Sequence, residues 1–330
     1  MAINVADVIT QFGAFYKPGS DNQRNLRNML YASKETSMYF QDRPTEDTIW
    51  RGTLASMNRV VQPFQKAYTP IGTITFKPNQ FDLFKLKIDL QETPDDLEAT
   101  YLGFLAALPV VERASWPFVR WFLENHVMPK KNEDLELNEY YKGVYAAPTP
   151  GTAGAVSTAM NGVRRVIRAY NTAGRTNLGT GAIATGAPNA DDAVFVGQIE
   201  AFVESIPELF RGKIDYIFMS KSLVTKYRRG KRAKYGSLQN YLTGTGVDNL
   251  LTIEDYPTIQ VKGLLSQSAS NLIWTSIPEN RIRPVKKGAL ENTMLVKEFA
   301  PRTVSAYTDW WEALNFEVPE FIFHNDQDLV

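Results

Sequence analysis

Between residues 84 and 90 the chain reads "FKLKIDL", in which Phe84, Leu86, Ile88 and Leu90 alternate with Lys85, Lys87 and Asp89. A period of two sets every second side chain on the same face, so this run predicts a strand with one covered and one wet face. Upstream, "TITFK" (73 to 77) is followed by the turn signal Pro78-Asn79, and the two runs together predict an antiparallel pair. The first half of the segment from Thr45 to Gly72 reads as a helix opened by Pro44, Thr45, Glu46 and Asp47, after which Pro63 and Pro70 force an extended path.

Beyond residue 92 the period lengthens. Thr93, Pro94, Asp95 and Asp96 make a helix start, and Leu97, Tyr101, Phe104, Leu105 and Leu108 form its buried stripe, ended by Pro109. A longer helical segment runs from the cap Ser115 towards Gly143, kinked or interrupted at Pro129; at the standard rise it spans about 40 Å. "YAAPTPGTAGAVSTA" is a connector to a helix over 161–170, and the glycine-rich stretch 171–192 is a loop. "AVFVGQIEAFVESIPELF" predicts a helix, "IDYIFMS" (214 to 220) a buried strand, and "KSLVTKYRRGKRAKYG" a helix entered from Ser220 and ended by Gly236. "PTIQVKG", "NLIWTS", "NTMLVKEF", "TVSAYTDWWEALNF" and "EFIF" read as strands. Residues 1 to about 44, broken by "KPGSDNQ" and "QDRP", predict an extended arm with short helical pieces that other parts must tie down. The mixture is α+β, with no internal repeat.

Composition narrows what this chain does. Its 330 residues suit one large domain or two interleaved lobes, and 44% hydrophobic content marks a folded protein. Thirty-six Lys and Arg balance thirty-six Asp and Glu, whereas a dedicated nucleic-acid binder carries a basic excess. Cysteine is absent, which excludes disulfides, thiolate metal sites and cysteine nucleophiles. The first twenty residues lack the pattern of a signal peptide, and no run of about 18 apolar residues provides a membrane span. The expected compartment is the cytoplasm.

Candidate chemistry is sparse. Of the two histidines, His126 sits in an aromatic helix and reads as a core or interface residue rather than a ligand. Glu133, Asp134, Glu136 and Glu139 could form paired carboxylates, but beside Lys130, Lys131 and Lys142 they read as a solvated face with local ion pairs. "GTGAIATG" (179 to 186) lacks the Lys-Ser/Thr ending of a phosphate loop and reads as a flexible loop. Trp310-Trp311 alternate on a strand, so one needs cover on each face. No catalytic, cofactor-binding or metal residues are expected. The one strongly basic run is "KYRRGKRAKYG", with Lys226, Arg228, Arg229, Lys231, Arg232 and Lys234 and no acid. These cations cannot share one helical face, so they serve either salt bridges between subunits or a solvated face, or else contacts to DNA phosphates.

Several segments, in order, resemble the major capsid proteins of tailed bacteriophages, whose shell fold is shared with encapsulins and the herpesvirus capsid floor. They are "RPTEDTIWRGTLASMNRVVQPFQKAYTPIGTITFKP", "FKLKIDLQETPDDLEATYLGFLA", "WPFVRWFLENHVMPKKNEDLELNEYYKGVYAAPTPGTAGAVSTAMNGV", "FMSKSLVTKYRRGKRAKYG" and "APRTVSAYTDWWEALNFEVPEFIF", covering most of residues 43 to 323. They are especially similar to capsid proteins of phages of Bacteroidetes hosts.

The resemblance implies an α+β subunit with an N-terminal arm (1–44), an extended loop and its approaches (45–92), a peripheral domain with a spine helix (93–190), an axial domain (191–290) and C-terminal strands returning to the peripheral domain (291–330). It implies self-assembly into hexamers and pentamers of an icosahedral shell around double-stranded DNA, built in the host cytoplasm and ending in the virion. The implied partners are further copies of the chain, a separate scaffolding protein, the portal protein, the packaged DNA and, in some shells, decoration proteins; no membrane is involved. An arm and a protruding loop cannot cover their own apolar residues, so Ile49, Trp50, Phe64, Tyr68 and Ile71 are expected against neighbouring copies. No N-terminal processing and no covalent crosslinks are expected. Two alternatives stay open: an encapsulin-type compartment, and a sequence-independent nucleic-acid-binding protein using the basic helix 221–235.

Overall fold

The computed structural model describes residues 32–92, 123–176, 186–236, 251–287, 295–300 and 303–329. In chain order the strands are β1 (Gln41–Thr45), β2 (Ile49–Met57), β3 (Ile74–Asp82), β4 (Phe84–Glu92), β5 (Tyr216–Ser220), β6 (Gln260–Leu264), β7 (Trp274–Ser276), β8 (Arg281–Lys286), β9 (Leu295–Ala300), β10 (Thr303–Glu312), β11 (Asn315–Phe316) and β12 (Ile322–His324). The described α-helices are α1 (Met128–Asp134), α2 (Val163–Thr172), α3 (Asp192–Ser205), α4 (Glu208–Arg211) and α5 (Lys221–Tyr235). They fall into two compact units, a larger one from Lys34–Lys85, Leu135–Lys287 and Trp311–Val330, and a smaller one from Met1–Ser33, Leu86–Asp134 and Gly288–Trp310.

The larger unit contains a four-stranded sheet in the order β12-β7-β5-β6, with β5 parallel to β6 and antiparallel to β7. Alternation along β5 divides its side chains between two cores. Ile217 and Met219 join Phe195, Val196, Ile199, Phe202 and Val203 of α3 and Leu223 and Tyr227 of α5. Phe218 faces the other way and stacks on Trp274 at 4.5 Å, with Phe40 and Phe316 packed around that tryptophan. Helix α3 forms because its apolar residues recur on one stripe and Asp191 caps it, accepting the Ala193 and Val194 N–H groups at 2.8 and 3.2 Å. Helix α5 starts after Ser220 and ends at Gly236, whose φ of +67° suits glycine, as the sequence predicts.

A second sheet in this unit is centred on β8, which pairs parallel with β1 and antiparallel with β11. Strand β8 is absent from the sequence-based expectations, because "RIRPVK" shows neither alternation nor an apolar run. Its two inward arginines are neutralised by partners: Arg283 holds Asp42 at 2.6 and 3.0 Å, with buried Glu312 at 3.3 Å, and Arg281 holds Asp215 at 2.6 Å. Pro284 supplies no N–H to the ladder, and it lies opposite the break between β10 and β11, its carbonyl accepting the Ala313 N–H at 3.3 Å.

Two expectations fail around the ribbon. Residues 49–57 are strand β2, not a helix, and β2 pairs with β3 over the full register Ile49↔Asp82 to Met57↔Ile74. The hairpin signal at Pro78-Asn79 is no turn: β3 runs through it, and β3's partner is β2 rather than β4. A two-stranded ribbon has a free edge on both sides, so Pro78 fits wherever its missing N–H would point away from Thr53. The alternation of 84–90 does mark a strand, with Leu86 buried and Lys85, Lys87 and Asp89 exposed.

In the smaller unit β10 pairs with β9 from Thr303↔Ala300 to Tyr307↔Leu295, and β4 is its neighbour on the sheet path. The π-helical turn Leu123–Val127 leads directly into α1, so the helical path passes through Pro129 instead of breaking there. A wider turn ahead of proline relieves the clash with a preceding carbonyl and leaves no N–H to satisfy. Trp310 is buried, with the Lys131 ammonium 5.2 Å from its ring centroid. The helix expected over 93–108 and most of the glycine-rich loop at 179–186 lie outside the described residues.

Candidate assembly surfaces

Among the described residues, the β2–β3 ribbon and its connecting segment 58–73 carry most of the exposed large apolar side chains. Phe64 and Tyr68 are each 92% exposed, Val61 79% and Phe76 65%, and Met57, Val60, Ile71 and Ile74 are also open. The tip nevertheless has a defined shape. Gln62 donates to the Thr69 carbonyl at 2.7 Å, Asn58 N–H bonds the Thr73 carbonyl at 3.3 Å, and Gly72 takes φ +104° where a Cβ would lie 2.8 Å from Val60. Polar side chains thus close the tip on itself while the apolar ones face outwards.

Of the five residues expected to meet neighbouring copies, the structure groups Phe64, Tyr68 and Ile71 on this tip. Ile49 and Trp50 are half-buried at the opposite end of β2, about 25 Å away at the strand rise. Met57, Val60, Val61, Ile74 and Phe76 are open as well and lie outside the sequence-based expectation. Their signal is that both strands of an isolated ribbon lack a covering layer, which local pattern alone does not show.

The ribbon root is clamped. Asn79 is buried and donates to the Phe316 and Glu317 carbonyls at 2.9 and 3.0 Å while accepting from the Tyr170 hydroxyl at 3.2 Å. Burial pushes the Tyr170 phenol up to about 12. Arg175 donates to the Pro78 carbonyl at 2.9 Å and pairs with Glu320 at 3.3 Å, and Glu320 lies 3.7 Å from Lys77. These groups line a cleft of about 490 Å³ with Phe76, Gly174 and Thr176. Asn79 and Arg175 thereby fix the angle at which the ribbon leaves the body.

On α5 the six cations differ in their surroundings. Lys231 is buried and donates to the Thr252 carbonyl at 2.7 Å, with Glu254 at 3.4 Å. Lys234 pairs with Glu200, and Lys226 donates to the Asn189 carbonyl with its ammonium 5.5 Å from the Phe195 ring centroid. Arg228, Arg229 and Arg232 are exposed. In the middle of the run, a Cβ on Gly230 would sit 1.9 Å from the Asp192 carbonyl oxygen, so this position is held by the close approach of α5 to α3.

The acidic cluster also divides. Glu133 and Asp134 pair with exposed Lys130 at 2.6 and 3.1 Å, and the Lys130 bond, then the Ala32 N–H, holds the Glu133 carboxyl below its ordinary range. Glu136 and Glu139 are buried, which corrects the expectation of a wholly solvated face. Glu139 accepts the Ala159 and Met160 N–H groups at 3.0 and 3.3 Å, and buried carboxylates are stable when such donors replace water. Among the described residues, no group of three or more His, Cys, Asp or Glu is placed to hold a metal ion, and no helix is long and apolar enough to cross a membrane.

No known family model matches the chain, and no curated protein matches its sequence. Solved structures do match. The chain is similar to a structure of the satellite phage P4 procapsid including the size determination (Sid) protein, with TM-score 0.55 and 10% identity over 97% of this chain and 94% of the other. It is also similar to the capsid of the native GTA particle, with TM-score 0.52 and 14% identity over 97% and 98%, and to the capsid of Myoviridae phage XM1, with TM-score 0.50 and 12% identity over 92% and 94%. At such low identity the likeness is one of fold, and it extends over nearly the whole chain. The protein has the α+β fold of phage capsid shell proteins.

Proposed function

We propose that this protein is the structural subunit of a phage capsid shell, assembling with copies of itself. The observation that carries the reading is the ribbon tip: a fold of this class presents Val61, Phe64 and Tyr68 to solvent on a segment whose shape is set by its own hydrogen bonds. Covering each such side chain is worth about 1.5–3 kcal/mol, and repetition around a closed shell multiplies weak contacts into a strong one. The neighbour that covers the tip is another copy.

Within this reading the subunits form the hexamers and pentamers of an icosahedral, tailed-phage shell around double-stranded DNA, with the kinship to Bacteroidetes phages as its finer part. Residues 1–44 act as the arm, 45–92 as the extended loop, 93–190 as the peripheral domain, 191–290 as the axial domain and 291–330 as returning strands. Scaffolding, portal and decoration proteins are the further partners, assembly occurs in the host cytoplasm, and the protein works without a catalytic site. The rival nucleic-acid-binding reading draws less support, because Lys226, Lys231 and Lys234 are engaged within the chain. The encapsulin-type alternative differs in cargo and genetic setting, and a neighbouring terminase or portal gene separates the two. Electron microscopy of the purified protein, alone and with its gene neighbours, tests the proposal: closed shells are expected, and monomers under every assembly condition would overturn it.

A further inference from the structure

Glu136 is fully buried, and its carboxylate is surrounded by donors. One oxygen accepts the backbone N–H of Glu35 at 3.0 Å and of Thr36 at 2.8 Å; the other accepts the Thr36 hydroxyl at 2.7 Å and the Ser266 N–H at 3.3 Å. With the Thr36 hydroxyl donating to Glu136, the Ser266 hydroxyl 2.6 Å away donates to Thr36. Around this node the Lys221 ammonium pairs with Glu35 at 2.9 Å, and the Lys34 ammonium lies 5.4 Å from the Tyr140 ring centroid. Residues 34–36 precede the first strand of the larger unit, and the 3₁₀ turn Thr36–Tyr39 leaves its leading N–H groups without backbone partners. Glu136 supplies those partners from a hundred residues away in sequence.

The chemistry of the node is selective. Both oxygens receive two donors each, so a carboxamide, which turns one acceptor into an NH₂ group, would set donor against donor. Undocking Glu35 and Thr36 would leave a buried carboxylate with little compensation, a costly state that makes docking close to all-or-none.

We infer that Glu136 is the positioning residue that locks the root of the N-terminal arm to the body, and that only the locked subunit is competent to assemble. The inference rests on the capsid-shell reading, but the lock itself is measurable on the soluble chain. Hydrogen exchange on the full-length protein, wild type against Glu136→Gln and Thr36→Val, reads the amides of Glu35, Thr36 and Ser266 alongside those of β5. At least tenfold faster exchange at Glu35, Thr36 and Ser266 is expected in Glu136→Gln, with a smaller increase in Thr36→Val and no change in β5; shell yield should fall in the same order. Thr36→Val retains the carboxylate and all three backbone bonds, so it carries the comparison if Glu136→Gln does not fold. Wild-type protection at these amides in both variants, an equal rise in β5, or full shell yield from a variant whose lock exchanges freely would each overturn the inference. Failure of the capsid reading looks different: wild-type protein forms no shells while its Glu35 and Thr36 amides stay protected.

Discussion

The β2–β3 ribbon and the β12-β7-β5-β6 sheet are built from similar residues and end in opposite states. Every residue of β5 from Ile217 to Ser220 is buried between helices on one face and aromatic rings on the other, whereas Met57, Ile74 and Phe76 of the ribbon stand open. The difference is one of layers, not composition. A sheet that gains a helix layer satisfies its apolar residues within the chain, and a ribbon without one leaves them for another molecule. Stability and assembly should therefore respond to different positions.

The largest stability loss is expected where the two helices meet. Gly230→Ala drives a methyl into the Asp192 backbone, and the unfolding free energy should fall by about 3 kcal/mol or more in denaturant titration, even though the residue lies in a run of charge. At the ribbon root, Asn79→Ala strands two carbonyls and should cost about 2 kcal/mol, showing that the root belongs energetically to the body.

Per pH unit, a smaller effect is expected from His324. It is buried, its Nδ1 accepting the Asp326 N–H at 3.0 Å and its Nε2 donating to the Thr176 hydroxyl at 3.3 Å, and burial pushes its pKa down to about 3. The unfolded chain binds this proton near pH 6.5, so the stabilisation is whole above that pH and is lost as pH falls towards 3, by up to about 1.4 kcal/mol per unit. Stability measured against pH should show that slope, and His324→Gln should flatten it. Smallest of all, reversing charge at exposed Arg228 and Arg229 should change stability by less than about 0.5 kcal/mol. It should lower shell yield without emptying the shells that form; normal shells with poor packaging would assign the arginines to DNA.

Elements whose pattern is local were legible in the sequence. Helix α5 shows its start at Ser220 and its end at Gly236, and the alternation of 84–90 marks a strand. What long-range pairing decides was not legible. Thr45, Glu46 and Asp47 are good helix-capping types, yet the register with β3 imposes a strand on the residues that follow them. Arg281 and Arg283 disguise β8, because their partners Asp215, Asp42 and Glu312 lie far off in sequence. The basic run announced six cations but not that Lys231 would be buried while the three arginines stay exposed, and Glu136 looked like surface until Glu35, Thr36 and Ser266 were folded onto it.

The central claim is that the ribbon tip is an assembly surface and not part of the fold. Phe64→Ser with Tyr68→Ser tests it in one preparation, by denaturant unfolding of the soluble chain and electron microscopy under assembly conditions. Unfolding within about 0.5 kcal/mol of wild type together with loss of closed shells is predicted. Shells at wild-type yield, with the tip stripped of both rings, would contradict it.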